Sequence, residues 1–558
     1  NTLAVNAGVL VNSAVGNNLS QIQNGTLTGP AGGGDLVLNV LNTANATGLT
    51  VTSAIADNGG PTNLVKLGAG NMTLNAANSY SGTTVVGGGI LTLANAAALG
   101  TSTQVTVRSG NGSDNTGVAL SNVTIPNTVA LTMITDTPAQ FVSDIRASFR
   151  STAGVSAWNG PINLVGTGLQ AFRVEGTSTS LTIGGPVTGG NLVLFLRGAV
   201  GTGFISNTVT LDPAATVFKT DPNTWVIGST GNTWGTTQIA STGTLRLGAT
   251  NALPTTAPLV MGQNNASTVG SFDLGGFDQT VPTVNLAGTG TAQTIGNSST
   301  SSASTLTLAG PGTSLFPGVI KDVLGTGTQK VNLQVTGGTH TLTGVNTYTG
   351  TTTVNGGTLR VNGSLAAGSA VAVNAGGTVG GTGTINGPLT VNAGGALAPG
   401  ASVGTLTVAN SVTVTGGTGT TWNVELNGTT PTSADLLSVT GAANTLNFVT
   451  NQPSDKVTLN LIGLVGLPAD TSLTYTIASV APGTGATNIL TNGTPGFDPT
   501  QFAFTTTGLT VVSASVAQSG DAIMVSFTTT PVPEPAFVLL ASAAAAGGFG
   551  WRRRRSRR

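Results

Sequence analysis

Short runs of alternating apolar and polar residues fill almost every window of the chain, punctuated by Gly, Gly-Gly, Asn-Gly or Ala-Gly-Gly, as in Leu389-Thr390-Val391-Asn392-Ala393-Gly394-Gly395-Ala396-Leu397. A period of two puts successive side chains on opposite faces of a strand, and the 3.6-residue period of an amphipathic helix is almost absent. Strands this short cannot each bury a large face alone. Their close, regular spacing predicts either a β-sandwich or a stacked solenoid.

Internal repeats favour the solenoid. Three segments share one pattern: Asn78-Ser79-Tyr80-Ser81-Gly82-Thr83-Thr84 reaching Leu91, Asn232-Thr233-Trp234-Gly235-Thr236-Thr237 reaching Leu245, and Asn346-Thr347-Tyr348-Thr349-Gly350-Thr351-Thr352 reaching Leu359. Asn and Leu stand thirteen residues apart in each, and the copies lie 154 and 114 residues apart. In the first and third, a further Leu (Leu74, Leu342) stands four residues ahead of the Asn. Residue chemistry suggests Leu and Val facing inward, Gly at corners, and Asn at a tight turn or with its amide stacked on a neighbour.

Composition agrees with one elongated body before residue 531. Only 6% of the 558 residues are charged and 83 are Gly, yet mean hydropathy is +0.26, too apolar for a disordered chain. The formal charge of zero hides an asymmetry: six of eighteen basic residues fall in the last seven positions, leaving twelve against eighteen acidic ones elsewhere. Without a basic stripe, nucleic acid is excluded as a partner. The absence of Cys removes disulfides and thiolate chemistry. The one His, His340, cannot build a histidine-based metal site, and it is expected at a solvated strand position. The opening Asn1-Thr2-Leu3 has no initiator Met and runs straight into strand-like alternation, which reads as cut from a longer precursor.

At the other end the pattern changes sharply. Val532-Pro533-Glu534-Pro535 is followed by an uncharged run from Ala536 to Trp551 and then by Arg552-Arg553-Arg554-Arg555. Prolines end the β-structure, and the apolar run predicts a short C-terminal hydrophobic helix of about 24 Å, under the ~30 Å hydrocarbon core. The arginines would hold that end on the cytoplasmic side and leave the β-body outside the inner membrane.

Candidate chemistry is sparse. Glycan-cleaving β-solenoids need paired carboxylates, or a carboxylate with Arg or Lys, converging on one groove. Only three residues are Glu, at 175, 425 and 534. Asp273 and Asp278 are expected in turn or surface roles. Arg146, Arg150 and Arg173 with Asp144 and Glu175 form the densest charged region, read as a structural ion-pair cluster rather than a sugar groove. No catalytic, metal or cofactor residues are assigned. A glycan-active enzyme is the alternative reading, to be decided by whether three charged side chains meet in a groove; a passive glycan-binding module is weaker, with aromatics at 4%.

The Asn–aromatic–Thr pattern resembles the autotransporter-associated β-strand repeat of large bacterial surface proteins. Companion segments resemble it too: Gly270-Ser271-Phe272-Asp273-Leu274-Gly275-Gly276-Phe277-Asp278, Leu315-Phe316-Pro317-Gly318-Val319-Ile320, and Gly381-Thr382-Gly383-Thr384-Ile385-Asn386-Gly387 leading to Leu397-Ala398-Pro399-Gly400. The resemblance implies an all-β fold, a right-handed parallel β-helix over residues 1–440 with landmarks near 66–93, 225–247 and 334–361. About 20 coils at ~4.8 Å each would give a rod on the order of 100 Å. Residues 441–530 are expected to form an irregular β cap or linker.

The order of parts in 531–558 resembles the PEP-CTERM sorting signal. It implies an exosortase-type processing enzyme as partner, Val532, Pro533, Glu534 and Pro535 as the recognised motif, and a transient inner-membrane anchor from Ala536 to Trp551 ahead of Arg552 to Arg555. Residues 441–530 are too few and irregular for an autotransporter barrel. The resulting expectation is an exported, adhesin-like structural protein of the cell surface or extracellular matrix of a Gram-negative-type bacterium, with extracellular polysaccharide as a further partner class.

Overall fold

The computed structural model describes residues 2–6, 8–44, 46, 48–109, 116–135, 147–264, 269–464, 467, 471–481 and 488–530. Among them there is no α-helix, only two 3-10 turns, Ser13–Val15 and Pro499–Gln501. The helix expected between Ala536 and Trp551 lies outside the described residues.

The chain winds as a parallel β-helix. Each coil lays down three short strands, and each strand pairs in parallel with its counterparts one coil before and one coil after. Thr84–Val86 lies between Thr62–Leu67 and Gln104–Ser109. Thr216–Lys219 lies between Val193–Gly198 and Thr236–Ile239, and Thr224–Ile227 between Thr202–Ile205 and Thr244–Leu247. Period-two alternation explains why such short segments suffice, since a two- to six-residue strand still sends one or more side chains inward and its backbone is satisfied by the coils on either side.

Three ladders result. The first runs as a nine-stranded sheet from Val9–Val11 to Val209–Thr210, passes through the Thr210↔Thr233 bridge, and resumes as a ten-stranded sheet from Gln279–Val281. The second runs from Ser20–Ile22 through Ile90–Leu93 and Thr236–Ile239 to Val284–Ala287, which packs on Thr313–Phe316, and on to Phe502–Thr507. The third begins with Thr2–Ala4, Thr26–Thr28 and Ala54–Ala56, includes Thr202–Ile205, Thr244–Leu247 and Val319–Val323, and continues from Ser364–Leu365 to Ser472–Val480.

Two strands are longer than one face. Ala147–Trp158 pairs through its first half with Thr116–Ser121 and through its second with Thr124–Ile125, so it bends from the second ladder to the third. Leu169–Ile183 does the same one coil later, pairing with Val193–Gly198 and then Thr202–Ile205. The bends fall at Gly154 (φ 56°) and Gly176 (φ 61°), where any side chain would be in the left-handed region.

Inside the coil, like positions stack. Val86, Val107, Met133 and Leu164 are register partners on the first ladder, all buried. Phe149 and Phe172 pair on the second at 6.2 Å edge to face, with Trp158 5.5 Å from Phe149. At the far end the parallel order stops: Ser472–Val480 pairs antiparallel with Ala522–Thr529, which pairs antiparallel with Val511–Ser519, while Ile489–Thr491 folds back on Thr494–Pro495. Antiparallel return strands lie against the last parallel edge of the third ladder.

Candidate functional site

The repeat motif is a set of internal hydrogen-bonding devices. Asn78, Asn232 and Asn346 are buried at corners where the strand hydrogen bonds would otherwise break. Each side-chain amide replaces a backbone rung. Asn78 Oδ1 accepts Ile55 N–H at 2.8 Å and its Nδ2 donates to Ala98 O; Asn232 accepts Val209 N–H at 2.7 Å and donates to Ala252 O at 2.7 Å; Asn346 accepts Ile320 N–H at 3.0 Å and donates to Ser364 O at 3.2 Å. A primary amide is the one side chain that offers both halves of a peptide link, which is why Asn opens every copy.

The aromatic two residues on points into the core. Tyr80 and Tyr348 hydroxyls meet Thr84 and Thr352 at 2.7 and 2.6 Å, and Trp234 Nε1 donates to Thr237 at 2.8 Å. Burial pushes the Tyr348 phenol up to about 12. Two copies also carry an acid staple. Asp57 accepts Thr62 N–H, Ser81 N–H and Ser81 Oγ, and Asp322 accepts Val331 N–H, Thr349 N–H and Thr349 Oγ1. Burial pushes the Asp57 carboxyl up, but the bonds from Thr62 and Ser81 outweigh it and hold the group below the usual range. In the middle copy the matching turn bonds to backbone instead, with Gly235 and Thr236 N–H both reaching Ala215 O.

Strand register places the copies on different faces. In the first and third, the Asn corner lies on the third ladder, Thr84–Val86 and Thr352–Val354 on the first, and Ile90–Leu93 and Gly357–Val361 on the second. In the middle copy the corner lies on the first ladder, Thr236–Ile239 on the second and Thr244–Leu247 on the third. The middle copy is therefore turned by one face relative to its fellows.

Sequence reading missed two buried lysines. Lys66 Nζ donates to the carbonyls of Leu67, Gly68 and Gly88 at 3.1, 2.6 and 2.7 Å, the last one coil above. Lys219 donates to Thr220 and Asp221 carbonyls in the same manner. Burial pulls both amines down to about 7. The signal was present in Thr62-Asn63-Leu64-Val65-Lys66, where alternation puts Lys66 on the inward face.

The charged region of the sequence is an arginine stack. Arg150, Arg173 and Arg197 are register partners on three successive coils of the second ladder. Glu175 bridges Arg150 at 3.1 Å and Arg173 at 2.6 Å, and Asp221 takes Arg197 at 3.0 Å. Glu175 joins the first two guanidiniums and Asp221 caps the third, and both acids offset like-charge repulsion along the stack. Asp144 and Arg146 lie outside the described residues. Asp273 is the buried last residue of strand Ser271–Asp273, accepting Gly275 and Ser298 N–H with Arg246 3.6 Å away, whereas Asp278 is exposed and accepts Thr305 N–H. His340 corrects an expectation. It is fully buried, with Nδ1 2.8 Å from Ser314 Oγ and Nε2 2.8 Å from Gly337 O, because it occupies an inward position between Thr339 and Thr341; burial lowers its pKa.

Among the described residues two grooves are each lined by three charged residues, one of them by Asp455, Lys456 and Asp498 near the end of the rod. The other, a trough of about 230 Å³ on the second ladder, is lined by Arg360, Glu425 and Asp435, with Gly380 and Ala398 between. Both Asp435 oxygens are already engaged, accepting Gly404 and Glu425 N–H at 2.9 Å each, and burial pushes the carboxyl up to about 7. The carboxylate pins the loop after Thr421–Leu426 to the body, as Asp57 and Asp322 pin theirs.

Val532, Pro533, Glu534, Pro535, Ala536, Trp551 and Arg552 to Arg555 lie outside the described residues, so the tail is identified by sequence. The passenger-associated-transport-repeat model matches residues 64–93 and 337–361, which are the first and third copies, and the PEP-CTERM protein-sorting motif matches 531–555. Over 99 residues, 18% of this chain, the sequence is 48% identical to the adhesin BmaC autotransporter of Brucella suis biovar 1 (strain 1330), and the match spans 3% of that protein. The chain is thus a parallel β-helix that carries passenger-associated-transport repeats and ends in a PEP-CTERM protein-sorting motif.

Proposed function

We propose that this is an exported, adhesin-like structural protein of the cell surface or extracellular matrix, delivered by an exosortase-type enzyme acting on its tail. The carrying observation is the pairing in one chain of a surface-protein repeat with a sorting motif at residues 531–555. In this reading Val532 to Pro535 are recognised, Ala536 to Trp551 sit transiently in the inner membrane, and Arg552 to Arg555 stay on the cytoplasmic side until the tail is removed. The β-helix is the mature product. Its polar side chains are used largely to hold coil to coil, which suits a load-bearing rod, and extracellular polysaccharide is its expected surrounding.

Fractionation of the native organism with C-terminal mass spectrometry tests the proposal. Surface material is expected to lack Arg552 to Arg558, and replacing Pro533, Glu534 and Pro535 by Ala should retain the chain in the inner membrane. Recovery of wild-type protein with its tail intact in the inner membrane, and none outside, would overturn it.

A further inference from the structure

The third ladder ends at Val511–Ser519, a nine-residue strand that pairs on one edge with Ala522–Thr529 and, among the described residues, with no strand on the other. An open edge offers unmet N–H and C=O groups to any strand that fits, and sheets commonly guard such edges with Lys, Pro or brevity. The first ladder does so, ending in the two-residue strand Thr494–Pro495. Val511–Ser519 has none of these guards: it contains no Pro, and no charged residue stands between Asp498 and Asp521.

The two-residue loop Gly520-Asp521, with Gly520 at φ 58°, closes the hairpin to Ala522–Thr529. Its closing pair, Ser519 and Ala522, exchanges backbone bonds, so alternation aims the N–H and C=O of Gln518, Val516 and Ala514 at the open edge. The one irregularity is a register slip between Val511 and Ser513, which leaves the Val512 side chain 69% exposed while Val516 of the same strand is buried.

The edge is also self-complementary. Val512-Ser513-Ala514-Ser515-Val516 reads the same in both directions. Two such strands laid antiparallel about Ala514 set Val512 against the partner's Val516, Ser513 against the partner's Ser515, and Ala514 against its own copy. Matched cross-strand pairs of this kind stabilise a sheet. Exposed Val512 gains an apolar neighbour, and neither copy brings a charge to the junction. The chain's own tail is a poor occupant, since Pro531, Pro533 and Pro535 donate no ladder bond. We propose that Val511–Ser519 pairs with the same strand of a second copy across a two-fold axis at Ala514, so that two rods join at their C-terminal ends. The contact uses backbone groups and uncharged side chains of the β-body and does not depend on how the chain is exported.

Sedimentation velocity of the full chain in non-ionic detergent, over a concentration series, tests the junction. A dimer should form, and Ser515→Lys, at an exposed position, should weaken it at least tenfold while keeping the wild-type melting temperature. Because the chain has no Cys, the register can be read by cross-linking. An oxidised mixture of Ser513→Cys and Ser515→Cys chains should yield a covalent dimer between the two variants. Ser519→Cys should yield none, since the strand rise sets its two copies about 34 Å apart. The proposal is overturned by a chain that stays monomeric throughout the series, by a dimer that Ser515→Lys leaves unchanged, or by cross-links at Ser519 and not in the mixture. Dimerisation of a chain found only inside the cell would overturn the export reading and leave this one standing.

Discussion

Asn346 Oδ1 accepts the backbone N–H of Ile320 at 3.0 Å, 26 residues earlier in the chain and one coil below. The same amide donates to Ser364 O in the coil above, so one side chain does what a peptide link does elsewhere in the ladder. Asn346→Ala should cost about 1–3 kcal/mol, because it leaves the buried Ile320 N–H unmet, while Ser364 O keeps the bond from the backbone N–H of residue 346. Asn346→Asp keeps the acceptor but sets a buried carboxylate against the Gly344 and Ser364 carbonyl oxygens, and should cost at least as much. Urea unfolding reads both as midpoint shifts; an Asp variant as stable as wild type would show that the amide is not a rung.

The Tyr348 hydroxyl contributes less than the Asn. Thr352 Oγ1 also contacts Ser369 at 2.8 Å, so Tyr348→Phe leaves a partner behind and should cost about 1 kcal/mol. Trp234→Phe should cost more, since it removes both the Thr237 bond and core volume. Equal effects in the two variants would contradict this ranking.

Asp435 sets a falling stability slope on the acid side. Its folded pKa of about 7 exceeds the 3.8 of an exposed Asp, so the native state binds the extra proton between those values. Stability from this group is full below about pH 4 and is lost as pH rises through 7, at no more than about 1.4 kcal/mol per pH unit. Melting temperature should fall from pH 4 to 7 in wild type, and less steeply in Asp435→Asn.

Lys66 acts in the opposite sense and in a different window. Its folded value near 7 lies below the ordinary 10.5, so between them the unfolded chain binds more protons and stability rises with pH. Lys219 adds to the same trend. Chemical denaturation from pH 7 to 10 should show the rise, and Lys66→Met should reduce it. An unchanged slope would mean that the three carbonyl oxygens around the ammonium offset its burial.

Much of this architecture was legible because alternation and the Asn–aromatic–Thr spacing are local. The inward faces of Thr62–Leu67 and Thr352–Val354 follow from a period of two. His340 was misplaced although the same rule put it inside; what hid it was that its partner, Ser314, is 26 residues away and known only from register. The acid staples were hidden for the same reason, since Asp57 and Ser81 are 24 residues apart. The antiparallel ending could not be read at all, because Ser472–Val480 and Ala522–Thr529 alternate just as parallel strands do.

The turned middle copy bears on how such chains change length. Since the motif is seated with its corner on the first ladder in one copy and on the third in two, at least two sides of the cross-section can host it. A deletion or duplication need not remove a whole coil to leave a sound junction; one strand with its corner is enough, provided the Asn finds a backbone pair to splice. Growth of the rod is then counted in thirds of a turn, and successive motifs can be dialled to different compass bearings about its axis.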